Sequence, residues 1–245
     1  MRTTRIYHCG NIEINNTIDL DDQASRHIGL VLRVPLHHDI IVFNGDGYDY
    51  QGKIIEISKR FKSIKIFISQ KTALQTESKL NIHLIQAISR SEKMDWVIQK
   101  AVELGVSEIT PVKTNFGSVK LTDSKSERYK KIVISACEQS GRAKVPVVHE
   151  SLPLQDLYEL RKDKWSEEQN FVFDPTALKS LNAFKKQNEK INLLIGPEGG
   201  FSEMELLHAQ QYYFNIVKLG NRILRTETAP ICAISAIQTL WGDFY

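Results

Sequence analysis

Over roughly the first 70 residues the apolar positions fall in short strand-like runs; beyond them they recur mostly at helical spacing. The runs 39–44 (DIIVFN), 49–57 (DYQGKIIEI) and 63–68 (SIKIFI) have β-type composition, and Gly45-Asp46-Gly47 between the first two supplies a turn with positive φ. A helix-like piece over 22–32 precedes them. Several short strands with turn punctuation predict a small barrel or sandwich. The stretch 71–79 (KTALQTESK) is polar and without apolar periodicity, so the domain boundary is placed there, with 1–72 as the first domain and 73–245 as the second.

From Leu80 onward strands alternate with helices. Strand candidates are 82–86, 108–112, 145–148, 171–173, 191–195 and 216–219, and the last two are short apolar runs of the kind that buried parallel strands require. In 94–104, Met94, Val97, Ile98, Ala101 and Val102 share one helical face, and Gly105 stops the helix. Residues 129–138 repeat the pattern and Gly141 follows. Ser202 and Glu205 have capping-box spacing before a helix over 203–213. Thr228 is placed to cap the last helix, with Pro230 tolerated in its first turn. This alternation predicts an α/β domain whose parallel sheet is covered on both faces.

Composition narrows the class. Of the 245 residues 42% are hydrophobic and 25% charged, which excludes disorder as the dominant state. A net charge of +3 permits a nucleic-acid partner without arguing for one. Cys9, Cys137 and Cys232 are odd in number, far apart, and never at metal-ligand spacing. No metal and no disulfide framework are therefore expected, and a reducing compartment is the default. The opening MRTTRIYHCGN has no signal-peptide core, and no run approaches the ~20 apolar residues of a membrane span. The expectation is a cytoplasmic protein with no membrane partner.

Three strings carry candidate chemistry. Gly196-Pro197-Glu198-Gly199-Gly200 follows a buried strand and precedes a capped helix, which is where open α/β sheets bind ligands. It lacks the Lys of a Walker loop and the spacing of a dinucleotide fingerprint. Glu198 disfavours a phosphate, so a ligand that is neutral or cationic fits better. LGNRILRTETA (219–229) also lies between a strand and a helix, and offers Arg222 and Arg225 for anions and Glu227 for a cation or proton. EQSGRAKVP (138–146) clusters Glu138, Gln139, Ser140 and Arg142 at a helix end, where a capped terminus with a basic rim is as good a reading as a functional one.

The segments 94–112, 136–146, 193–206 and 219–229 closely resemble the RsmE family, the 16S rRNA uridine-N3 methyltransferases of the SPOUT superfamily. HIGLVLRV (27–34) and FNGDGYDYQGKI (43–54) resemble that family's N-terminal PUA-like barrel. The resemblance implies a small PUA-like β-barrel that binds RNA, followed by a SPOUT α/β domain with a trefoil knot, a homodimer, and S-adenosylmethionine (SAM) as cofactor. It implies that main-chain groups of Ile195, Gly196, Pro197, Glu198, Gly199 and Gly200, with Leu219, Gly220, Ile223 and Leu224, hold the adenosyl moiety. Asp174 and Pro175 would form a third wall, and Thr228 and Ala229 complete the cofactor set. Two positions depart from the pattern: Phe116, in TNFGSV (114–119), stands where an Arg is common, and Asn221 where a Pro is common.

Methyl transfer to uracil N3 requires loss of its proton or stabilisation of the uracil anion. Arg225 and Arg142 are candidates for the anion or an adjacent phosphate, and Glu227 and Glu198 for the proton. A structural role for Glu227 beside Arg225 is an equal reading. For RNA, Arg26, His27 and Arg33, and Lys59, Arg60, Lys62 and Lys65 around Phe61, combine cations with aromatic groups, although a solvated basic edge would look the same. The partner expected is 16S rRNA or the small ribosomal subunit. The alternative is an RNA-binding ribosome assembly factor on the same fold without catalysis.

Overall fold

A computed structural model describes residues 4–117 and 123–244; residues 1–3 of the opening string and Ser118 and Val119 of TNFGSV lie outside them. The chain forms two compact units, Met1–Glu77 with Cys137–Val145, and Ser78–Ala136 with Pro146–Tyr245.

The first unit contains β1 (Thr4–Tyr7), β2 (Thr17–Asp19), α1 (Asp22–Arg26), β3 (Asp39–Phe43), β4 (Tyr48–Ile57) and β5 (Ile64–Ala73). Its sheet runs in the order β1-β3-β4-β5-β2, with β1 parallel to β3 and the other pairs antiparallel. Period-2 alternation in β5 buries Ile64, Ile66 and Ile68 against Ile40, Val42, Tyr50 and Ile54. The helix expected over 22–32 is shorter. α1 ends at Arg26 and the chain widens into a π-type turn at His27–Val31. There Gly29 lies under the Phe61 ring, so close that a side chain at 29 would collide with it.

The segment 137–145 joins this unit through long-range polar contacts. Glu138 Oε1 accepts from the Tyr7 N–H at 3.1 Å, and the Ala143 carbonyl accepts from the Gly47 N–H at 3.2 Å. The Arg142 guanidinium donates to Glu77 Oε2 at 2.7 Å. None of these pairings leaves a local trace in the sequence, and the boundary expected between 72 and 73 assigns 137–145 to the second domain.

The second unit contains β6 (Asn81–Ala87), α2 (Ser91–Glu103), β7 (Glu108–Lys113), α3 (Asp123–Ser140, its last residues passing into the first unit), β8 (Val147–Val148), β9 (Leu152–Pro153), α4 (Leu154–Leu160), β10 (Gln169–Phe173), β11 (Lys190–Ile195), α5 (Glu203–Gln211), β12 (Phe214–Val217) and α6 (Thr228–Trp241). The sheet is parallel throughout, in the order β12-β10-β11-β6-β7-β8, with β9 also on β7. On one face Ile85, Val112, Val172 and Leu194 pack with Leu154, Leu157 and Tyr158 of α4, Trp165 and Ala209 of α5. On the other, Phe171 stacks on Trp241 of α6 with centroids 5.9 Å apart.

A row of buried polar side chains crosses the middle of this sheet. His83 Nδ1 pairs with Asn192 Oδ1 at 3.0 Å and Nε2 with Thr110 Oγ1 at 2.7 Å, while Asn192 Nδ2 donates to Asn170 Oδ1 at 2.7 Å. His83, Asn192 and Asn170 are register partners on β6, β11 and β10. An unpaired buried amide or imidazole costs roughly 1–3 kcal/mol, so the row penalises every shifted register.

Burial pushes the His83 imidazole down to about 3, while the unfolded group titrates near 6.5. Between these values the unfolded chain binds the extra proton, so stability falls as pH drops below 6.5, by about 1.4 kcal/mol per unit from this group. His83→Gln keeps the hydrogen-bonding capacity and removes the titration. Denaturant midpoints at pH 6.5 and 5 should show a shallower loss in the variant; equal slopes would remove His83 as a cause of acid sensitivity.

Candidate functional site

The carboxyl ends of β10, β11 and β12 carry three loops that enclose one cavity of about 530 Å³. The loop after β11 turns tightly, the Gly200 N–H donating to the Pro197 carbonyl at 3.0 Å with Gly200 at φ +73°. A positive φ of this kind favours glycine. The loop then enters α5 through a capping box of Ser202 and Glu205. After β12 the chain turns at Gly220 (φ +78°) and runs to α6, whose first amides, Thr228 and Ala229, both donate to the Arg225 carbonyl at 2.9 Å. In the loop after β10, Asp174 Oδ1 accepts from the Thr176 N–H at 2.8 Å and its hydroxyl at 2.5 Å, so one carboxylate oxygen shapes its own turn.

Thr226 joins two of these loops. Its buried hydroxyl donates to the Gly196 carbonyl at 2.7 Å and accepts from Gln86 Nε2, at the end of β6, at 3.3 Å. The walls are largely main chain and apolar: Ile195, Gly196, Pro197, Glu198, Gly199, Gly200, Leu219, Gly220, Ile223, Leu224, Asp174, Pro175 and Ala229 of the expected cofactor set all line the cavity. Thr228 does not; it is the first residue of α6, and Glu227 occupies the N-cap position without a side-chain cap bond. The expected Thr228 cap is therefore replaced by the Arg225 carbonyl turn.

Lys93, in the first turn of α2, was not anticipated. It lines the cavity, and its ammonium lies 2.9 Å from Glu198 Oε1 and 3.2 Å from Glu227 Oε2. Arg225, also in the lining, lies 3.9 Å from Glu227 Oε1 with its side chain 82% exposed. The site thus places two carboxylates and two mobile-length cations at one rim. Arg142 is not among the residues that line this cavity; it is buried in the first unit, with Nε and Nη2 bonded to Glu77 Oε2 at 3.0 and 2.7 Å.

Of the candidate RNA contacts, His27 opens the π-type turn, Arg26 and Arg33 lie to either side of it, and all three are exposed. Phe61, packed on Gly29, carries Lys59, Arg60 and Lys62 to the same side of the first unit. Lys65 stands apart on β5 and its ammonium is held by Glu56 at 2.9 Å. His83, Glu108 and His149 offer ligand atoms within 4.8 Å of one another. Both ring nitrogens of His83 are already bonded, and Glu108 is shared by His149, Lys190 and Arg161. The His149 hydrogen bond and the Lys190 ammonium hold the Glu108 carboxyl well below the usual range despite burial. This is a closed ion network rather than an open ligand set.

For Glu198, burial pushes the carboxyl up, but the Lys93 hydrogen bond and charge outweigh it and the net direction is down. Lys93→Met should raise the Glu198 titration midpoint, read by carboxyl NMR with a glutamate assignment. An unchanged midpoint would show that the Lys93 bridge does not form in solution.

Residues 76–238 match the family model described as an RNA methyltransferase domain, and 20–67 match an RNA methyltransferase PUA domain. The ribosomal RNA small subunit methyltransferase E of Buchnera aphidicola subsp. Schizaphis graminum is 39% identical, over 99% of this chain and 98% of its own. The structure of a Neisseria gonorrhoeae ribosomal RNA small subunit methyltransferase E bound to S-adenosyl methionine superposes with a TM-score of 0.92 at 38% identity, covering all of both chains. A Legionella pneumophila putative methyltransferase with bound SAM superposes at 0.91 with 35% identity, again over 100% of each chain. With three loops enclosing one cavity and the match running the length of the chain, this protein belongs to the RsmE family of ribosomal RNA small subunit methyltransferases.

Proposed function

We propose that the chain transfers the methyl group of SAM to N3 of a uridine in the 16S rRNA of the small ribosomal subunit, acting in the cytoplasm as a homodimer. The observation that carries this is the glycine-walled cavity with carboxylates at its rim. A Cβ built on Gly200 or Gly220 would meet nothing within 4 Å, so the main chain there borders open space. A volume of about 530 Å³ lies in the range of small-molecule sites. Backbone donors and acceptors in such walls suit an uncharged purine, and Glu198 and Glu227 suit a cationic group.

Bound SAM supplies a methyl group on a cationic sulfur. The protein must then orient the uracil, exclude water and manage the N3 proton. Glu227, held between Lys93 and Arg225, is the proton acceptor in this reading. Arg225 reaches from the exposed rim and stabilises the negative charge that spreads to the uracil oxygens. Lys93 holds both carboxylates in place. The basic side of the first unit, from Arg26 and His27 to Lys62, supplies phosphate contacts.

The trefoil knot and the dimer belong to the same reading. Among the described residues no helix is long and apolar enough to cross a membrane. A non-catalytic assembly factor would have no need of a cavity with bridged carboxylates.

Incubation with methyl-labelled SAM and small-subunit RNA, followed by digestion to nucleosides, should yield 3-methyluridine by mass and retention. Methyl groups found only on ribose or on carbon would overturn the reading. Arg225→Ala should lower the single-turnover rate by roughly 10²–10³ at unchanged SAM affinity, the usual loss for a charge-stabilising group. Lys62→Ala should instead raise the RNA KM and flatten the log–log salt dependence by ~0.7, with the saturated rate retained.

A further inference from the structure

We propose that Phe116 is the platform on which the target uracil stacks when it leaves the RNA, an inference that rests on the methyl-transfer reading above. N3 lies on the pairing edge of uracil, so the base must be unpaired and turned out before it can react. A base turned out of a stack needs an apolar face to replace its lost neighbours.

The turn that bears Phe116 is fixed to the cavity. It follows β7, at the same end of the parallel sheet as the three cavity loops. The Asn115 N–H donates to Glu205 Oε1 at 2.9 Å, and Asn115 Nδ2 donates to Ser202 Oγ at 3.0 Å. These acceptors are the two capping-box residues of α5, which begins directly after the GPEGGF loop. The turn closes on itself as the Gly117 N–H donates to the Thr114 carbonyl at 3.1 Å. Phe116 then lies on the outside of the cavity wall: a Cβ on Gly199 would come within 2.9 Å of the Phe116 Cβ and 3.6 Å of its Cγ. Gly199 thus has a second reason to be glycine besides ligand approach.

The other two phenylalanines at this end of the sheet face inward. Phe173 is 8% exposed, and the Phe201 ring covers Gly196 at 3.0–3.4 Å from where a Cβ would stand. Phe116 is 56% exposed. A single exposed aromatic is ordinary on a protein surface. One whose backbone turn is tied by hydrogen bonds to the wall of the reaction cavity, with Arg225 and Lys93 in the lining, is a preorganised surface for a flat uncharged ring.

The experiment compares Phe116→Ala, Phe116→Leu and Phe116→Trp with the wild type. SAM affinity is read by calorimetry, and single-turnover methylation is followed at saturating SAM over a range of RNA concentrations. A stacked base typically contributes enough that Ala should lower kcat/KM for RNA by about 5- to 150-fold. Leu, which fills space without a π face, should remain low. Trp should return to within about threefold of the wild type, and SAM affinity should stay constant throughout. Full activity in the Ala or Leu variant would overturn the proposal. Weakened SAM binding in the Ala variant would also overturn it, by making Phe116 part of the cofactor wall. Failure of the underlying reading looks different, because the wild type itself would then form no 3-methyluridine.

Discussion

The site depends on register. Thr110, His83, Asn192 and Asn170 bond side chain to side chain through the buried middle of β7, β6, β11 and β10. In parallel strands buried on both faces the apolar runs are near-continuous and do not by themselves mark one register. Polar groups do, since each shift leaves a buried donor or acceptor without a partner. With the strands aligned, Phe173, Ile195 and Val217 end together, and the loops that follow meet around one volume. The hydroxyl of Thr226 then links the loop of Gly196 to the segment entering α6 and to Gln86 at the end of β6.

Charge organises the rim of that volume. Lys93 comes from α2, Glu198 from the loop after β11 and Glu227 from the entrance to α6, yet they share one ammonium. The bridge compensates two acids that would otherwise repel each other. It also leaves a rim that balances negative and positive groups, which suits a site that must admit a cationic cofactor and a polyanionic RNA. The first unit adds its own cations through an unrelated device, the seating of Phe61 on Gly29, which gathers two basic strings distant in sequence onto one side.

What could be read in the sequence was what is local. GPEGG and LGNRILRTETA each sit between a strand and a helix; glycine density marked the first as a ligand loop and the grouping of Gly220 with Arg222, Arg225 and Glu227 marked the second, and both contribute to the cavity lining. The helical face of Met94, Val97, Ile98, Ala101 and Val102 is buried as its spacing requires. The features that escaped are made by distant partners. Lys93 meets Glu198 across 105 positions, and Arg142 meets Glu77 across 65. In a string, Arg142 beside Ser140 and Gly141 is indistinguishable from an anion-binding arginine. β1 and β2, at four and three residues, are too short to show a period. Thr228 had the residue type of a cap, but the turn at the Arg225 carbonyl starts the helix one position earlier than its side chain could serve.

The central claim is that these aligned loops, latched by Thr226, form the SAM site. Titration of SAM into the wild type and into Thr226→Val, with matched circular dichroism, tests it most directly. Val keeps the shape and removes the hydroxyl, leaving the Gly196 carbonyl and the Gln86 amide short of a partner. A buried polar group so deprived costs roughly 1–3 kcal/mol, so binding should weaken about 5- to 150-fold from a wild type that takes up one SAM per chain. Equal affinity in a folded Thr226→Val protein, or no heat from the wild type, would contradict the account.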